Sequence, residues 1–240
     1  MSDIAALESP FRPLTALRAV GRLFRDPEDT RQVFVVMTAL RGRSGRRLFE
    51  RFLASPVGAT ITAERRRLLD RLQDRAGLAA LPDGSLGQAY LAFMQAEQLS
   101  AEGLVEASEA GRGAIADQRA ALFRDRMRDM HDLNHVLTGY GRDGLGELSL
   151  LAFMYRHTGN LGGAFIALMG LSRFPKGARR RAARAAVIEG FRDGGRAAWL
   201  PGLDWEALLA RPLAEVRREL NVMEPVRYQA ARLAQDAAAS

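Results

Sequence analysis

The 240-residue sequence contains no cysteine, which excludes disulfide staples, cysteine-held zinc and thiol nucleophiles together. Any metal bound by this chain must be held by nitrogen and oxygen ligands. Lysine is almost as scarce: Lys176 is the only one, so nearly all of the 35 basic residues are arginine. Histidine occurs three times. Long apolar runs are missing as well. The longest, LGGAFIALMGL from Leu161 to Leu171, falls well short of the ~20 residues that a membrane-spanning helix needs. The opening MSDIAALESPFRP has neither the positive start nor the apolar core of a signal peptide. The expectation is a chain without spanning segments that can still rest against a membrane.

What is present reads as a globular protein. Hydrophobic residues make up 48% and charged residues 26%, ordinary values for a domain with a sizeable core. The net charge of +7 and a pI near 10.7 raise the question of nucleic acid. The basic residues, however, are spread out and mixed with acids, as in Arg65-Arg66-Arg67-Leu68-Leu69-Asp70-Arg71. No zinc finger, aromatic RNA-binding motif or basic-region heptad accompanies them. No nucleic-acid partner is expected.

Helix signals recur along the chain and strand signals are nearly absent. In DPEDTRQVFVVMTALRG, Asp26 is placed to cap a helix, Pro27 to open it and Gly42 to stop it. A second helix is expected from near Thr62 to Gly77. Ser85 and Gln88 form the pattern of a capping box. Ser100 is a cap candidate for a short helix ending near Gly111, and a long helix is expected from Ala114 to about Thr138. Asp143 is placed to cap GLGELSLLAFMYRH, with Glu147 in its first turn, and Asn160 to open a helix through Leu171. An arginine-rich helix follows Phe174-Pro175 and ends near Gly194. Asp204 and Pro212 begin two short closing helices. With no repeat and no linker, residues 1–240 read as a single all-α domain of about nine to eleven helices. The first ~9 and last ~15 residues are expected to lack order.

Two of the three histidines, His131 and His135, stand four apart in MHDLNHVLTGYGRDGLGE. On a helix, such residues lie about 40° apart around the axis and ~6 Å along it, so both imidazoles project from one stripe. Asp132 falls within the same ~100° wedge. The series Gly139, Gly141, Gly144 and Gly146 permits a sharp return that could bring Glu147 to the same point. Two imidazoles and two carboxylates can hold one divalent metal. The alternative is a pair of hydrogen-bonded core histidines. A zincin protease would carry Glu where Asp132 stands, and an HD-type phosphohydrolase would need a histidine upstream of His131, where there is none.

The string H-D-x-x-H, eleven residues, then E resembles the signature of the Coq4 family of ubiquinone biosynthesis. Other stretches are similar to that family: DPEDTRQVFVVMTALRG, LPDGSLGQAYLAFMQAEQLS (with Ser85 where threonine is usual), Arg126 and Arg128 before the His-Asp pair, GELSLLAFMYRHTGN and DWEALLARPLAEVRREL. The resemblance runs from Pro10 to Leu220, with an unfamiliar tail after Val222. It implies an all-helical homodimer that is peripheral on the inner membrane of a bacterium, on the cytoplasmic side. It implies one divalent metal, zinc by preference, held by His131, Asp132, His135 and Glu147. The expected activity is removal of the C1 carboxyl of a polyprenylated hydroxybenzoate-derived ring, with hydroxylation at that carbon. The expected partners are that prenylated precursor, the membrane surface and the other ubiquinone biosynthesis enzymes. An alternative role is a non-catalytic prenyl-lipid-binding scaffold that organises those enzymes.

Four protein ligands would close a zinc site, and catalysis needs an open position. Asp132 is therefore also a candidate general base. Arg128 is a candidate for binding a substrate carboxylate, or for an ion pair with Asp132. The apolar stretches Leu148 to Met154 and Leu161 to Leu171, with Tyr90, Phe93 and Met94, suit either core packing or a prenyl groove. The segment from Arg173 to Arg184 holds six cationic residues in twelve and suits either anionic headgroups or a solvated face.

Overall fold

A computed structural model describes residues 7–26, 29, 31–98 and 115–237. Helices α1 (Pro13–Arg25) and α2 (Arg31–Ala39) pack on one another and are followed by α3 (Ser44–Ala54) and α4 (Pro56–Glu64). Two short helices, α5 (Leu68–Gln73) and α6 (Arg75–Ala79), precede α7 (Leu86–Ala96) and the long α8 (Gln118–Thr138). Next come α9 (Gly144–Thr158), α10 (Leu161–Gly170) and α11 (Ala178–Gly194). The chain closes with α12 (Trp205–Leu208), α13 (Leu213–Glu219) and α14 (Val226–Asp236). Among the described residues there are thus fourteen α-helices and no strand. Eleven of them have seven or more residues, the upper end of the expected range. The excess is made of α5, α6 and α12, each one short turn or two.

The caps explain most boundaries. The Ser85 hydroxyl accepts from Gln88 N–H at 3.3 Å, and Asp143 Oδ1 accepts from Leu145 and Gly146 N–H at 3.0 and 3.1 Å. Asn160 and Asp204 take the N–H groups of Gly162 and Ala207. Each satisfies a backbone donor that a helix start leaves orphaned. The Ser85 box is only half made, because the Gln88 amide donates to the Leu81 carbonyl at 2.7 Å instead of reaching back.

Three expectations differ from the structure, and a fourth falls outside the described residues. The helix placed at Thr62 begins earlier, at Pro56 behind the cap Ser55, and breaks at Arg65, whose φ of 53° is left-handed. Asp26 closes α1, its backbone N–H on the Arg22 carbonyl, while α2 starts only at Arg31; Pro27 is outside the described residues. The short helix expected after Ser100 lies in 99–114, also outside them. Residues 226–236, expected to lack order, form α14, with Tyr228 2% and Ala231 5% exposed. Two backbone N–H groups at its start, those of Arg227 and Tyr228, are taken by the Glu189 carboxylate of α11. Helices α1 and α3 were not anticipated.

The main core is built around α9, which packs against α10 and, along most of its length, against α11. From α8 it receives Met130, Leu133 and Leu137, each at most 1% exposed and each worth ~1.5–3 kcal/mol by burial. A second cluster joins Phe49, Phe52 and Ile61 to Phe123 at the start of α8. Arg126, 2% exposed, ties α8 to α12 through two contacts of 2.6 and 2.7 Å with the Glu206 carboxylate. The result is an α8 anchored at several points along its length, with its last two turns facing the start of α9.

Candidate metal centre

Helix α8 carries His131 and His135 in its C-terminal half and ends at Gly139, whose φ of 76° turns the chain. Five residues later α9 begins under the Asp143 cap and presents Glu147 in its first turn. The two helix ends approach closely because position 146 is glycine. A Cβ there would lie 2.0 Å from the Gly141 carbonyl oxygen, so any larger residue would force the loop away from α9.

Ligand atoms of His131, His135 and Glu147 converge within 4.8 Å of one another. His135 Nε2 lies 3.3 Å from His131 Nε2 and 3.3 Å from Glu147 Oε1. The other nitrogen, Nδ1, is 3.0 Å from the Tyr140 carbonyl oxygen. A carbonyl can only accept, so Nδ1 carries the proton and the neutral ring offers Nε2 as a lone pair. This is the arrangement in which metal-bound imidazoles are held and oriented. The edge of a tetrahedron whose corners stand 2.0–2.1 Å from its centre is about 3.3–3.4 Å, so two of the three edges already have the length a zinc site requires. The donor set therefore fits a divalent cation.

The electrostatics agree for His131 and Glu147, while His135 is held by its carboxylate neighbour. Burial pushes the His131 imidazole below its ordinary range, and the Glu147 charge opposes this only in part. Burial acts on His135 in the same sense, but the hydrogen bond and charge of Glu147 outweigh it and leave that ring raised. Burial alone would raise the Glu147 carboxyl, yet His135 and His131 hold it below the usual carboxylate range. An ionised Glu147 and a neutral His131 are the ligand forms a metal takes, and a cation bound at His135 would displace the proton that Glu147 favours there.

This geometry can be set beside known proteins. The sequence model of the family described as "Coenzyme Q (ubiquinone) biosynthesis protein Coq4" matches residues 10–226. The chain belongs to the Coq4 family. It is 30% identical to the Danio rerio mitochondrial COQ4 homolog over 179 residues, 75% of this chain and 64% of that protein. Against the Yarrowia lipolytica protein, also named for ubiquinone biosynthesis, it is 30% identical over 222 residues, 89% of this chain and 82% of that one. The Scheffersomyces stipitis relative is 28% identical, and 55% of its length is matched; the chain thus spans under two thirds of some curated relatives. A crystal structure from Nostoc punctiforme, described as a candidate ubiquinone biosynthesis protein, shares the fold. Its TM-score is 0.64 at 21% identity, covering 88% of this chain and 99% of that one.

Not all of the residues in the Coq4-like motif meet at one point. Asp132 is 5% exposed and stands outside the converging set. Among the described residues it has no hydrogen bond or ion pair of its own, and its charge acts on both imidazoles. Arg128 is buried too, but its guanidinium is taken by Asp129 at 2.7 Å rather than by Asp132. Two further residues belong to the site. Phe93 of α7 stacks on the His135 ring at 5.8 Å; the sequence offered it only as an apolar residue. Arg142, in the glycine-rich turn, sends its charge to His131 and Glu147 and stands 3.7 Å from Glu97. Its place between His135 and Glu147 was the available signal. Of the proposed groove residues, Leu148, Leu150, Phe153, Tyr90 and Met94 are core.

Proposed function

We propose that this Coq4-family protein is a metal-dependent enzyme of ubiquinone biosynthesis that removes the C1 carboxyl of a polyprenylated hydroxybenzoate-derived ring. The observation that carries the reading is the convergence of His131, His135 and Glu147 from two helix ends, beside a buried carboxylate, Asp132, with no partner. Zinc fits the nitrogen and oxygen donors and the 3.3 Å spacings. When bound, such a cation polarises a carboxylate and a neighbouring ring oxygen.

The remaining roles fall to this chain's own residues. Three converging ligands leave a coordination position for substrate, which four would not. Asp132, outside the converging set, then serves as the base. Arg142 is the cation best placed to receive the substrate carboxylate; Arg128 could do so only by exchanging its Asp129 partner. Replacing carboxyl by hydroxyl removes two electrons, so an external two-electron acceptor and an oxygen donor such as water complete the balance.

The test begins with elemental mass spectrometry on protein purified without a tag. About one divalent metal per chain is expected. His131→Ala and Glu147→Gln should weaken metal binding by at least the ~100-fold at the top of the range for outer partners. Metal-loaded protein should then release labelled carbon dioxide from a carboxyl-labelled prenylated substrate, given an electron acceptor, and Asp132→Asn should stop it. A metal-free wild type would overturn the metal reading. Bound metal without turnover would favour a scaffold.

A further inference from the structure

We propose that Tyr228 is a positioning residue for the metal centre, holding the Tyr140–Gly144 turn in place from the C-terminal helix. The inference rests on the metal reading above. It concerns a residue beyond the family match, which ends at 226. The Tyr228 hydroxyl accepts from Gly141 N–H at 3.0 Å and donates to Asp143 Oδ2. A phenol has one donor and two acceptor positions, and its donor and one acceptor are used here. Both bonds fall on the turn that links the histidine helix to the glutamate helix.

Each contact leads to a ligand. Asp143 is the cap that starts α9, so fixing its carboxylate fixes the first turn from which Glu147 projects. Gly141 follows Tyr140, whose carbonyl holds His135 Nδ1. The Tyr140 ring meets the Tyr228 ring edge-on at 5.5 Å. Tyr228 itself cannot drift, because the Glu189 carboxylate of α11 takes the backbone N–H groups of Arg227 and Tyr228. The tail is thus a brace from α11 to the ligand-bearing turn. Outer partners of this kind set metal affinity without touching the metal.

The experiment compares wild type, Tyr228→Phe and Ile61→Val by titration with cobalt(II), following its visible absorption. Tyr228→Phe keeps the ring and deletes only the hydroxyl. Ile61→Val lowers stability from the separate Phe49–Phe52 cluster and controls for general loosening. The expected result is a ~10–100-fold loss of cobalt affinity with an altered spectrum in Tyr228→Phe, and wild-type binding in Ile61→Val. Wild-type affinity and spectrum in Tyr228→Phe would overturn the proposal, as would an equal loss in Ile61→Val. Wild-type protein that takes up no cobalt at all would instead bring down the metal reading on which it rests. Hydrogen exchange on metal-free protein supplies a second readout. The Gly141, Leu145 and Gly146 amides should exchange faster in Tyr228→Phe, while those in the middle of α8 do not; unchanged exchange at all three also counts against the proposal.

Discussion

His157, the histidine left out of the metal cluster, shows how much a single ring can do without a ligand. It is 5% exposed. Leu200 N–H donates to its Nδ1 at 3.4 Å, while the Trp199 indole N–H donates to its carbonyl at 3.0 Å. Burial, followed by the Arg51 and Arg156 charges, pushes its pKa from 6.5 down to about 4. The sign follows from proton counting. Between those values the unfolded chain binds a proton that the native protein refuses, so stability rises with pH. The contribution is complete above about pH 6.5 and lost as pH falls toward 4, amounting to about 3 kcal/mol. His157→Gln keeps an acceptor for Leu200 and cannot titrate. Denaturant unfolding should show wild type losing about 3 kcal/mol more than this variant between pH 7 and pH 4. Parallel losses would mean that the ring is protonated in the folded protein.

At the scale of elements, the approach of α11 to α9 depends on residues without side chains. A Cβ on Gly194 would lie 2.3 Å from the Phe153 carbonyl oxygen, a backbone atom that cannot step aside. Gly194→Ala should therefore part the helices and cost about 1–3 kcal/mol, the usual penalty for overpacking. Gly21, inside α1, has nothing within 4 Å of its Cβ position. Gly21→Ala should gain about 0.5–1 kcal/mol through helix propensity. Urea midpoints of the pair test this; equal effects would refute the close-packing account. The contrast also shows what the sequence could and could not reveal. Caps such as Asp143 and Asn160 were legible because a short polar side chain before an apolar run has a local cause. So was the His131–His135–Glu147 set, whose spacing lies within one helix and one turn. The break at Arg65 was not, since a left-handed arginine that closes the helix through the Ile61 and Thr62 carbonyls carries no sequence mark. Nor was α14, whose order comes from Glu189, 38 residues upstream of Arg227. Gly194 gave no warning of its own, because its partner is a backbone carbonyl on another helix.

At the scale of the whole molecule, no helix among the described residues is long and apolar enough to cross a membrane, so any contact with a lipid surface must be made by an exposed face. The arginine-rich α11 is a poor candidate. Its apolar residues Ala183, Ala186 and Val187 are buried in the core, and the Arg180 guanidinium is spent on the Phe174 and Ser172 carbonyls. Helix α1 is better suited. Leu14 and Leu17 are 67% and 52% exposed, with Phe11 just before them at 58%, and Arg18, Arg22 and Arg25 lie exposed on the same element. On α10, in contact with both α1 and α2, Leu161 and Leu168 are 46% and 67% exposed. Apolar residues flanked by arginines on a surface helix suit the boundary between acyl chains and anionic headgroups. We predict that the protein sediments with vesicles containing anionic lipid, and that added salt weakens binding by screening the arginines. Leu14→Ser with Leu17→Ser should lower vesicle affinity at least ~10-fold, since each leucine contributes more than 1 kcal/mol when buried. Arg18→Ser with Arg22→Ser should change the salt dependence far more than the affinity at high salt. If the leucine variant binds vesicles normally but changes the sedimentation coefficient, the α1 face covers a second copy of the chain rather than a membrane.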